Sequence, residues 1–351
     1  MLTNKDFELI REELDFCHNP LIFFHDDPDG LCSFLLLYRY KQAGHGIPIK
    51  TDPKVDEKFL RKVEEYNPDK IFIVDLNYVS QEFVDGSKKP IVIIDHHTPI
   101  KVNNAKYFNP RTTTPDKHMP TSQICYQAVQ QDLWIAMCGI IGDWFLPEEL
   151  AEKFIEEYPG LLDKNIKEPD FALFETEISK VIRMMQFSLK GNTDKVKKNI
   201  KVWTRIKDPY EILEKKTPQS VFLYKHFELV NKEYQSILKD AESKAEDGFL
   251  IYTYPKMRIS LSGELSNELL HRHKDKIILI ARKKEHEYKC SLRSPEQINI
   301  KKALDNALVG TNGYGGGHEH ACGATVPIEQ FEVFVAKLKD EVQDQRKNKN
   351  L

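Results

Sequence analysis

Mostly apolar runs that end in acidic or imidazole side chains recur through residues 1–145. Apart from Lys70, residues 21–24, 70–74 and 90–94 are apolar without alternation, which is typical of parallel strands buried on both faces. A fourth run, residues 138–142, is predicted as a strand in the same way. Helical patterns lie between these runs, at residues 31–42, 56–66 and 121–131. This alternation predicts an α/β fold with a mainly parallel sheet flanked by helices.

The pattern changes twice further along the chain. Residues 146–246 carry helical patterns, which predicts a helical connector with a break near Pro218. Beyond it, strands are predicted at 248–254, 277–282 and 287–293, and helices at 264–272 and 300–308. We therefore expect an N-terminal domain (1–145), the connector (146–246), a smaller C-terminal α/β domain with a mixed sheet (247–345) and a flexible tail (346–351).

Polar side chains follow each apolar run of the N-terminal domain. Because parallel strands bring their carboxyl ends to one edge of a sheet, these side chains are expected to converge. Crowded carboxylates repel one another, and divalent cations relieve that repulsion. Imidazole and carboxylate together suit Mn²⁺ or Zn²⁺, and a pair of ions about 3.5–4 Å apart is a common arrangement for hydrolysis of phosphate esters. The converging residues are His25, Asp27, Asp29, Asp75, Asp95, His96, His97 and Asp143.

Each of these motifs has an ordinary reading when it is taken alone. A single Asp after a strand is commonly a turn or helix cap, which applies to Asp75 and Asp143. Residues 25–30 could be an Asp-rich turn that caps the next helix, and residues 95–97 could be surface polarity. The recurrence of such motifs at the ends of successive strands favours a shared site.

The composition is typical of a soluble globular protein. It has 351 residues, of which 40% are hydrophobic and 30% are charged. No apolar stretch approaches the roughly 18–20 residues of a membrane span, and the N-terminus has no signal-peptide core. The six cysteines lack paired spacing, so we expect reduced, buried thiols rather than disulfides or a thiol metal site. These features predict a cytoplasmic protein without a membrane partner.

Two further segments have chemistry of their own. Residues 310–318 hold five glycines followed by His318, which predicts a loop that presents N–H groups to a phosphate; a flexible turn is the alternative. Residues 190–207 hold seven basic residues, one acidic residue and Trp203. Such a segment can bind single-stranded nucleic acid, but a solvated helix face with one buried Trp is the favoured interpretation.

The motifs together resemble those of a known family. His25-x-Asp27-x-Asp29-Gly30, Asp75, Asp95-His96-His97 and Asp143 resemble the four motifs of the DHH phosphoesterases. Gly315-Gly316-Gly317-His318, with Ala321 and Gly323, and Ser291-x-Arg293-Ser294 resemble signatures of the C-terminal domain associated with that family. Among its subgroups, the chain is most similar to the RecJ-like nucleases in a compact form.

The resemblance implies two Mn²⁺ ions, with Mg²⁺ as a possible substitute. It implies that His25, Asp27 and Asp75 hold one ion, and that Asp29, Asp75, His96 and Asp143 hold the other. His97 is then expected to contact the scissile phosphate, with Asp95 orienting its neighbours. In the C-terminal domain, the substrate-binding residues implied are Ser291, Arg293, Gly315, Gly316, Gly317 and His318, of which Arg293 and His318 contact the phosphate or terminal nucleotide.

The activity implied is hydrolysis of a phosphodiester by a water that two metal ions activate. The leading hypothesis is a Mn²⁺-dependent exonuclease on single-stranded DNA or RNA. One alternative is a phosphodiesterase or phosphatase on short oligonucleotides, pAp or cyclic dinucleotides. Another is a non-catalytic scaffold in a replication or repair assembly, with proteins of that assembly as partners. The sequence leaves polarity, DNA versus RNA and the oligomeric state open.

Overall fold

The computed structural model describes residues 2–50, 54–257 and 259–348. It divides into two compact units, Met1–Phe227 and Glu228–Leu351, with the boundary inside one long helix, Pro218–Glu242. The predicted subdivision at residues 145 and 246 stays a prediction. Each unit has a sheet and helices of its own.

The first unit alternates strands and helices over its first half. Its elements in chain order are α1 (Asn4–Asp15), β1 (Pro20–His25), α2 (Pro28–Lys41), β2 (His45–Ile49), β3 (Lys54–Val55), α3 (Leu60–Tyr66), β4 (Lys70–Val74), β5 (Tyr78–Val79), α4 (Gln81–Ser87), β6 (Ile91–Ile94), β7 (Lys106–Phe108), α5 (Thr121–Val129) and α6 (Leu133–Gly142). Helices then follow one another: α7 (Glu148–Glu157), α8 (Pro169–Phe174), α9 (Glu177–Ser188), α10 (Thr193–Trp203), α11 (Pro209–Leu213) and α12 (Pro218–Glu242). Short 3₁₀ turns occur at Glu57–Phe59 and Pro110–Thr112.

The main sheet of this unit has five parallel strands in the order β2-β1-β4-β6-β7. Side chains of a strand alternate between its two faces, and here both faces are covered. Leu21 and Phe23 point to one face and Ile22 and Phe24 to the other, and all four are fully buried. This explains why the strand sequences are continuously apolar, and it confirms the predicted parallel sheet flanked by helices.

The fourth predicted strand, residues 138–142, was wrong. These residues are the last turns of α6, a buried helix, and Asp143 is its C-cap. The apolar run extends back to Leu133, and ten residues suit a buried helix better than a strand. Asp143 therefore reaches the site from a helix C-terminus. The predicted helix at 56–66 is also shorter, because the 3₁₀ turn Glu57–Phe59 precedes α3.

The second unit contains β8 (Ala245–Glu246), β9 (Phe249–Tyr254), α13 (Ser262–Arg272), β10 (Ile277–Lys284), β11 (Glu287–Arg293), α14 (Ile300–Leu308), β12 (Tyr314–His318), β13 (Ala321–Pro327), a 3₁₀ turn (Ile328–Gln330) and α15 (Phe331–Asn348). Its mixed sheet of six strands has the order β12-β13-β11-β10-β9-β8. Only β9 and β10 pair in parallel. Helices α14 and α15 cover the core face of this sheet, where Leu279, Leu292 and Phe334 are fully buried.

Two expectations for this unit need correction. The glycine-rich stretch is the edge strand β12, paired antiparallel with β13, and not a loop over Gly315–His318. Its glycines allow close pairing, since a Cβ at Gly315 would lie 2.6 Å from the carbonyl oxygen of Gly323. The chain is also helical as far as Asn348, so the first part of the predicted flexible tail is helix. The remainder, residues 349–351, lies outside the described residues.

The basic segment before residue 207 forms an amphipathic helix rather than an aromatic platform. Trp203 is fully buried, and its Nε1 donates a hydrogen bond of 2.8 Å to Oγ of Ser188. All six cysteines are free and buried, as expected. Within the part of the chain that the structure describes, no helix combines the length and the apolar character needed to cross a membrane.

Candidate metal centre and substrate-binding face

The order of the strands creates a switch point between β1 and β4. The chain leaves β1 toward β2 on one side, and later returns to place β4 on the other side of β1. Open α/β sheets bind ligands at such points, just beyond the carboxyl ends of the strands. His25 is the last residue of β1 and Asp75 directly follows β4, so both lie at this crevice.

His25, Asp27 and Asp75 form the first group of ligand-type atoms. Nδ1 of His25 lies 2.6 Å from Oδ2 of Asp27 and 3.7 Å from Oδ2 of Asp75. Asp27 is the N-cap of α2, and its other oxygen, Oδ1, accepts a 2.9 Å hydrogen bond from the backbone N–H of Gly30. Gly30 is required by close packing, because a Cβ there would lie 2.4 Å from the carbonyl oxygen of His25. The turn from β1 into α2 thus fixes two of the three groups.

Asp75 has an unusual backbone. Its φ is 58°, in the left-handed region that Asp and Asn tolerate better than most residues. Its N–H continues the sheet by donating to the carbonyl oxygen of Ile94 at 3.0 Å. Such strained conformations are concentrated at functional sites. Here the turn keeps the carboxylate, which is 1% exposed, in the crevice.

His96 connects Asp75 to the helix that carries Asp143. Its Nε2 lies 3.3 Å from Oδ1 of Asp75, and its Nδ1 lies 3.6 Å from Oδ2 of Asp143. The ring of His97 lies beside it, with 4.4 Å between the ring centroids. Asp75, His96 and His97 form a second group whose ligand atoms all lie within 4.8 Å of one another.

His97 is held by residues that follow two neighbouring strands. Its Nδ1 lies 2.8 Å from Oδ1 of Asp95, and its backbone N–H donates to Oδ2 of the same carboxylate at 3.1 Å. Asn109, directly after β7, donates through Nδ2 to Asp95 Oδ2 at 3.2 Å and to the carbonyl oxygen of His97 at 3.0 Å. Asp95 and Asn109 therefore orient the imidazole of His97.

Asp29 is buried in the same crevice but binds a helix N-terminus. Its Oδ2 accepts the N–H of Thr121 at 2.8 Å, and its Oδ1 accepts both the N–H and the hydroxyl of Ser122. These are the first residues of α5, where a carboxylate is favoured by the helix dipole. A carboxylate oxygen has two lone pairs, so Oδ2 keeps one for an ion. Asp29 is in none of the three groups of converging ligand atoms.

Protons on imidazole and carboxyl groups can balance the negative charge of the site. Burial would raise the pKa of Asp75, but the imidazoles of His25 and His96 lower it below its ordinary value. Burial, together with the charge of Asp29, raises the pKa of Asp143 to about 9. Burial opposes protonation of His96, but Asp75 outweighs it and raises the pKa of His96 to about 10. A divalent cation would supply the positive charge that these protons now supply.

The donor set fits divalent metal ions. Oδ2 of Asp75 and Oδ2 of Asp143 are buried without a hydrogen-bond partner among the described residues. Leaving a buried carboxylate oxygen unsatisfied is costly, and a cation removes that cost. Imidazole nitrogens with carboxylate oxygens suit Mn²⁺, Zn²⁺ and related ions. The groups that could hold them are His25–Asp27–Asp75, Asp75–His96–His97 and His96–His118–Asp143.

The second unit gathers its candidate residues through strand register. Ser291 pairs with Gly323, which pairs with Gly316; Arg293 pairs with Ala321, which pairs with His318. Directly paired residues share a face of the sheet, and alternate residues of one strand do so too. These two rows therefore lie on one face, opposite the buried face that holds Leu292 and Cys322.

On this face, residues with small side chains or none lie beside the longer side chains of Arg293 and His318. Gly316 would admit a Cβ freely, because nothing lies within 4 Å of that position. His318 is exposed, whereas burial lowers the pKa of Arg293. Arg293 donates to Oδ1 of Asn267 at 2.6 Å and to the carbonyl oxygen of Leu292 at 2.8 Å, both neutral acceptors. A desolvated guanidinium held by neutral oxygens attracts an anion such as a phosphate.

Two family models match this chain. Residues 19–154 match the DHH family N-terminal domain, and residues 247–344 match the DHHA1 domain. Together they cover about two thirds of the sequence and contain every motif described above. The chain belongs to the DHH family. It is thus a member of the DHH phosphoesterase superfamily, and its first and second units carry the DHH and DHHA1 domains respectively.

Solved structures share the fold at low sequence identity. RecJ from Thermus thermophilus in complex with Mn²⁺ matches with a TM-score of 0.69 and 14% identity, over 97% of this chain and 55% of that one. Exonuclease RecJ bound to manganese matches with a TM-score of 0.63 and 15% identity, over 98% of this chain and 95% of that one. The DHH protein therefore spans about half of the Thermus RecJ chain and has a RecJ-like fold. Among curated protein sequences, none matches the chain significantly.

A phosphodiesterase has the same fold. The pGpG-specific phosphodiesterase PggH from Vibrio cholerae matches with a TM-score of 0.53 and 13% identity, over 93% of this chain and 99% of that one. At this identity the likeness concerns the fold alone.

The DHH motifs predicted from sequence are brought together. Two further residues, His118 and Asn109, join them in the first unit, and a third, Asn267, contacts Arg293 in the second unit. His118 lies 3.4 Å from Oδ2 of Asp143 through its Nε2. Burial and the charge of His96 lower the pKa of His118, so its ring is neutral near pH 7. Asn109 follows a strand, as the motif residues do, but β7 has only three residues and gives no recognisable pattern.

Proposed function

We propose that this DHH protein is a Mn²⁺-dependent phosphodiester hydrolase that removes nucleotides from an end of single-stranded DNA or RNA. The observation that carries the proposal is the position of Asp75, whose Oδ2 faces His25 in the group with Asp27 while its Oδ1 faces His96. A shared carboxylate between two adjacent subsites is the arrangement expected of a two-metal hydrolase.

The roles of the residues follow from their contacts. A pair of divalent cations supplies positive charge for the phosphoryl oxygens and makes water acidic enough to attack phosphorus near neutral pH. His97 is about one third exposed, so its free ring edge can donate to a phosphoryl oxygen while Asp95 holds Nδ1. On the DHHA1 domain, Arg293 and His318 bind a phosphate, and Asn267 keeps the guanidinium in place.

Cationic and aromatic side chains near the metal centre support a nucleic-acid substrate. Lys50 and Lys190 lie close enough to Asp26 to oppose the rise in its pKa that burial causes. Trp144 follows Asp143 directly and is 38% exposed, which is unusual for so large an apolar side chain. An exposed indole beside a phosphate site can stack on a nucleobase. Inorganic pyrophosphate and polyphosphate have no base that could stack on this indole ring.

The direct test uses labelled oligonucleotides and the metal as separate variables. Purified protein is freed of metal with a chelator and then incubated with DNA and RNA 20-mers labelled at the 5′ or the 3′ end, with and without added Mn²⁺. The proposal expects Mn²⁺-dependent release of mononucleotides from one end of single strands and slower release from duplexes. Absence of hydrolysis at saturating Mn²⁺, with Mn²⁺ bound, would support a scaffold role instead.

A phosphodiesterase for very short substrates is the second candidate. It is supported by the fold, which the chain shares with the pGpG-specific phosphodiesterase over 99% of that protein as well as with exonuclease RecJ over 95%. The discriminating measurement is kcat/KM as a function of substrate length, from a dinucleotide to a 20-mer. A kcat/KM that falls steeply beyond about four nucleotides would favour this second candidate, because an extended site binds longer strands better.

A further inference from the structure

His118 is held against the metal centre by the connection between β7 and α5. It lies just before Pro120, the N-cap of α5, so the start of that helix fixes its position. Its ring centroid lies 5.6 Å from that of His96 and 5.1 Å from that of Phe145, and the planes of His118 and Phe145 meet at 89°. The edge-to-face packing on Phe145 restricts rotation of the ring and leaves Nε2 directed at Asp143.

The spacing of these atoms is that of ligands on one ion. Imidazole and carboxylate ligands lie about 2.0–2.2 Å from such ions. At octahedral to tetrahedral angles, two such ligand atoms are then about 2.8–3.6 Å apart. Oδ2 of Asp143 lies 3.4 Å from Nε2 of His118 and 3.6 Å from Nδ1 of His96. Ligand atoms of all three residues lie within 4.8 Å of one another.

Asp143 supplies a second, independent observation. Its Oδ2, the atom that faces both imidazoles, is buried and has no hydrogen-bond partner in the described part of the chain. The side chain of His118 is 45% exposed, so the position between these groups can be reached from solvent. An unsatisfied carboxylate oxygen beside two ring nitrogens is a ready coordination site.

We propose that His118 is a ligand of the metal subsite formed with His96 and Asp143, and that it biases this subsite toward transition-metal ions. A second imidazole favours Mn²⁺, Co²⁺ or Zn²⁺ over Mg²⁺, which prefers an all-oxygen shell. The inference rests on the proposed function, because it assumes that the centre holds metal. It adds a ligand to the set that the DHH motifs imply.

The simplest competing role is structural. Nε2 of His118 also lies 3.3 Å from the carbonyl oxygen of Asp143, so the ring could serve only to hold the C-terminus of α6. A structural role predicts a change in stability without a change in metal affinity. A ligand role predicts a change in the affinity and spectrum of one metal ion.

The experiment compares His118→Ala, His118→Asp and a matched control in the full chain. The control is His45→Ala, an exposed imidazole at the N-terminal end of β2 and so at the opposite edge of the sheet. Mn²⁺ binding is measured by the loss of the free Mn²⁺ electron paramagnetic resonance signal, and Co²⁺ binding by visible absorption. Thermal unfolding of each variant provides the check on folding.

We expect two Mn²⁺ ions in the parent protein and in His45→Ala. In His118→Ala, the affinity for one of the two ions falls by about 10–100-fold, and the Co²⁺ absorption of that subsite weakens. His118→Asp restores two-ion binding but raises the affinity for Mg²⁺ relative to Mn²⁺.

Unchanged Mn²⁺ affinity and Co²⁺ spectrum in His118→Ala would overturn the ligand role, even if kcat fell, since the ring would then act on substrate. The same holds if only the unfolding temperature changed. If the parent protein bound no Mn²⁺, the proposed function would fail together with this inference. If the parent protein bound two ions and His118→Ala bound them with the same Mn²⁺ affinity and Co²⁺ spectrum, this inference would be wrong and the proposed function would stand.

Discussion

Nε2 of His96 lies 3.3 Å from Oδ1 of Asp75, and this pair joins the two sides of the metal centre. The opposite oxygen of Asp75, Oδ2, faces Nδ1 of His25 at 3.7 Å. One buried carboxylate therefore serves both sides, and its two oxygens are not interchangeable. Removing its charge should affect every ion that the site binds.

Asp75→Asn is the sharpest test of that role. Asn tolerates the left-handed φ of 58° as well as Asp does, so the substitution removes the charge without adding backbone strain. Ala at the same φ would confound the two effects. We expect loss of two-ion Mn²⁺ binding and a fall in kcat/KM for a labelled oligonucleotide of more than about 100-fold.

The control for this variant is Asp163→Asn, an exposed carboxylate outside the centre. It should bind Mn²⁺ and hydrolyse substrate as the parent does. Isothermal titration calorimetry with Mn²⁺ and a gel assay measure the two properties. If Asp75→Asn kept two-ion binding and full activity, the shared-carboxylate mechanism would be wrong.

Metal binding should release protons, because protons occupy the site in the absence of cations. The pKa of Asp143 is raised to about 9 and that of His96 to about 10, so both hold a proton at pH 7. A cation must displace these protons, which costs less as the pH rises. We therefore expect Mn²⁺ affinity to increase from pH 6 to pH 9 and proton release at pH 7. Calorimetry in buffers of different ionisation enthalpy measures both; affinity that is flat over this range would contradict the prediction.

The sequence was sufficient to predict a parallel sheet, three of its five strands and the convergence of polar residues at its edge, because buried parallel strands leave a strong pattern. Three apolar runs predicted β1, β4 and β6, and the polar residues directly after them were found at one edge. This prediction uses only the sequence of each strand and requires no knowledge of the elements that pack against it. It failed at residues 138–142, where an equally apolar run is a buried helix, since periodicity cannot separate the two when every face is buried.

The residues that the sequence did not predict are positioned by tertiary packing. His118 lies in the irregular connection between β7 and α5 and not directly after a strand, and Asn267 lies on α13, far in sequence from the Arg293 that it contacts. The local sequence around each residue gives no indication of a contact with a distant part of the chain. The glycine-rich strand was mistaken for a loop because glycine disfavours strands by propensity, whereas close pairing with Gly323 favours it here.

Substitutions of Gly316 and Gly315 by alanine distinguish a role of β12 in substrate binding from a role in packing. Nothing lies within 4 Å of a Cβ at Gly316, whereas a Cβ at Gly315 would lie 2.6 Å from the carbonyl oxygen of Gly323. We expect Gly316→Ala to unfold at the temperature of the parent but to raise KM for an oligonucleotide, since its methyl group occupies the space where the backbone meets a phosphate.

Gly315→Ala is the matched control for that variant. It should be destabilised by about 1–3 kcal/mol, because the added methyl group overpacks the pairing with β13. Thermal unfolding and initial rates at several substrate concentrations measure the two effects. An unchanged KM in Gly316→Ala would remove β12 from the substrate site.

Substitution of Trp144 tests whether the substrate carries a nucleobase that stacks on the indole ring. It lies next to Asp143, has a φ of 59° and remains 38% exposed, with Phe174 packed at 5.9 Å in a T-shaped contact. Stacking of one base on an aromatic ring is worth about 1–3 kcal/mol, or about 5–150-fold in affinity. Trp144→Ala should therefore raise Kd for a catalytically inert oligonucleotide by that factor, and Trp144→Phe should restore most of the affinity.

The contrast between two substrates makes the Trp144 prediction specific. Hydrolysis of bis-p-nitrophenyl phosphate depends on the metal centre and offers no nucleobase, so Trp144→Ala should leave its kcat/KM within about twofold of the parent value. Phe16→Ala, which removes an aromatic ring that is 79% exposed at the end of α1, serves as the surface control. Equal losses on both substrates would mean that the indole supports the position of Asp143 and does not contact a base.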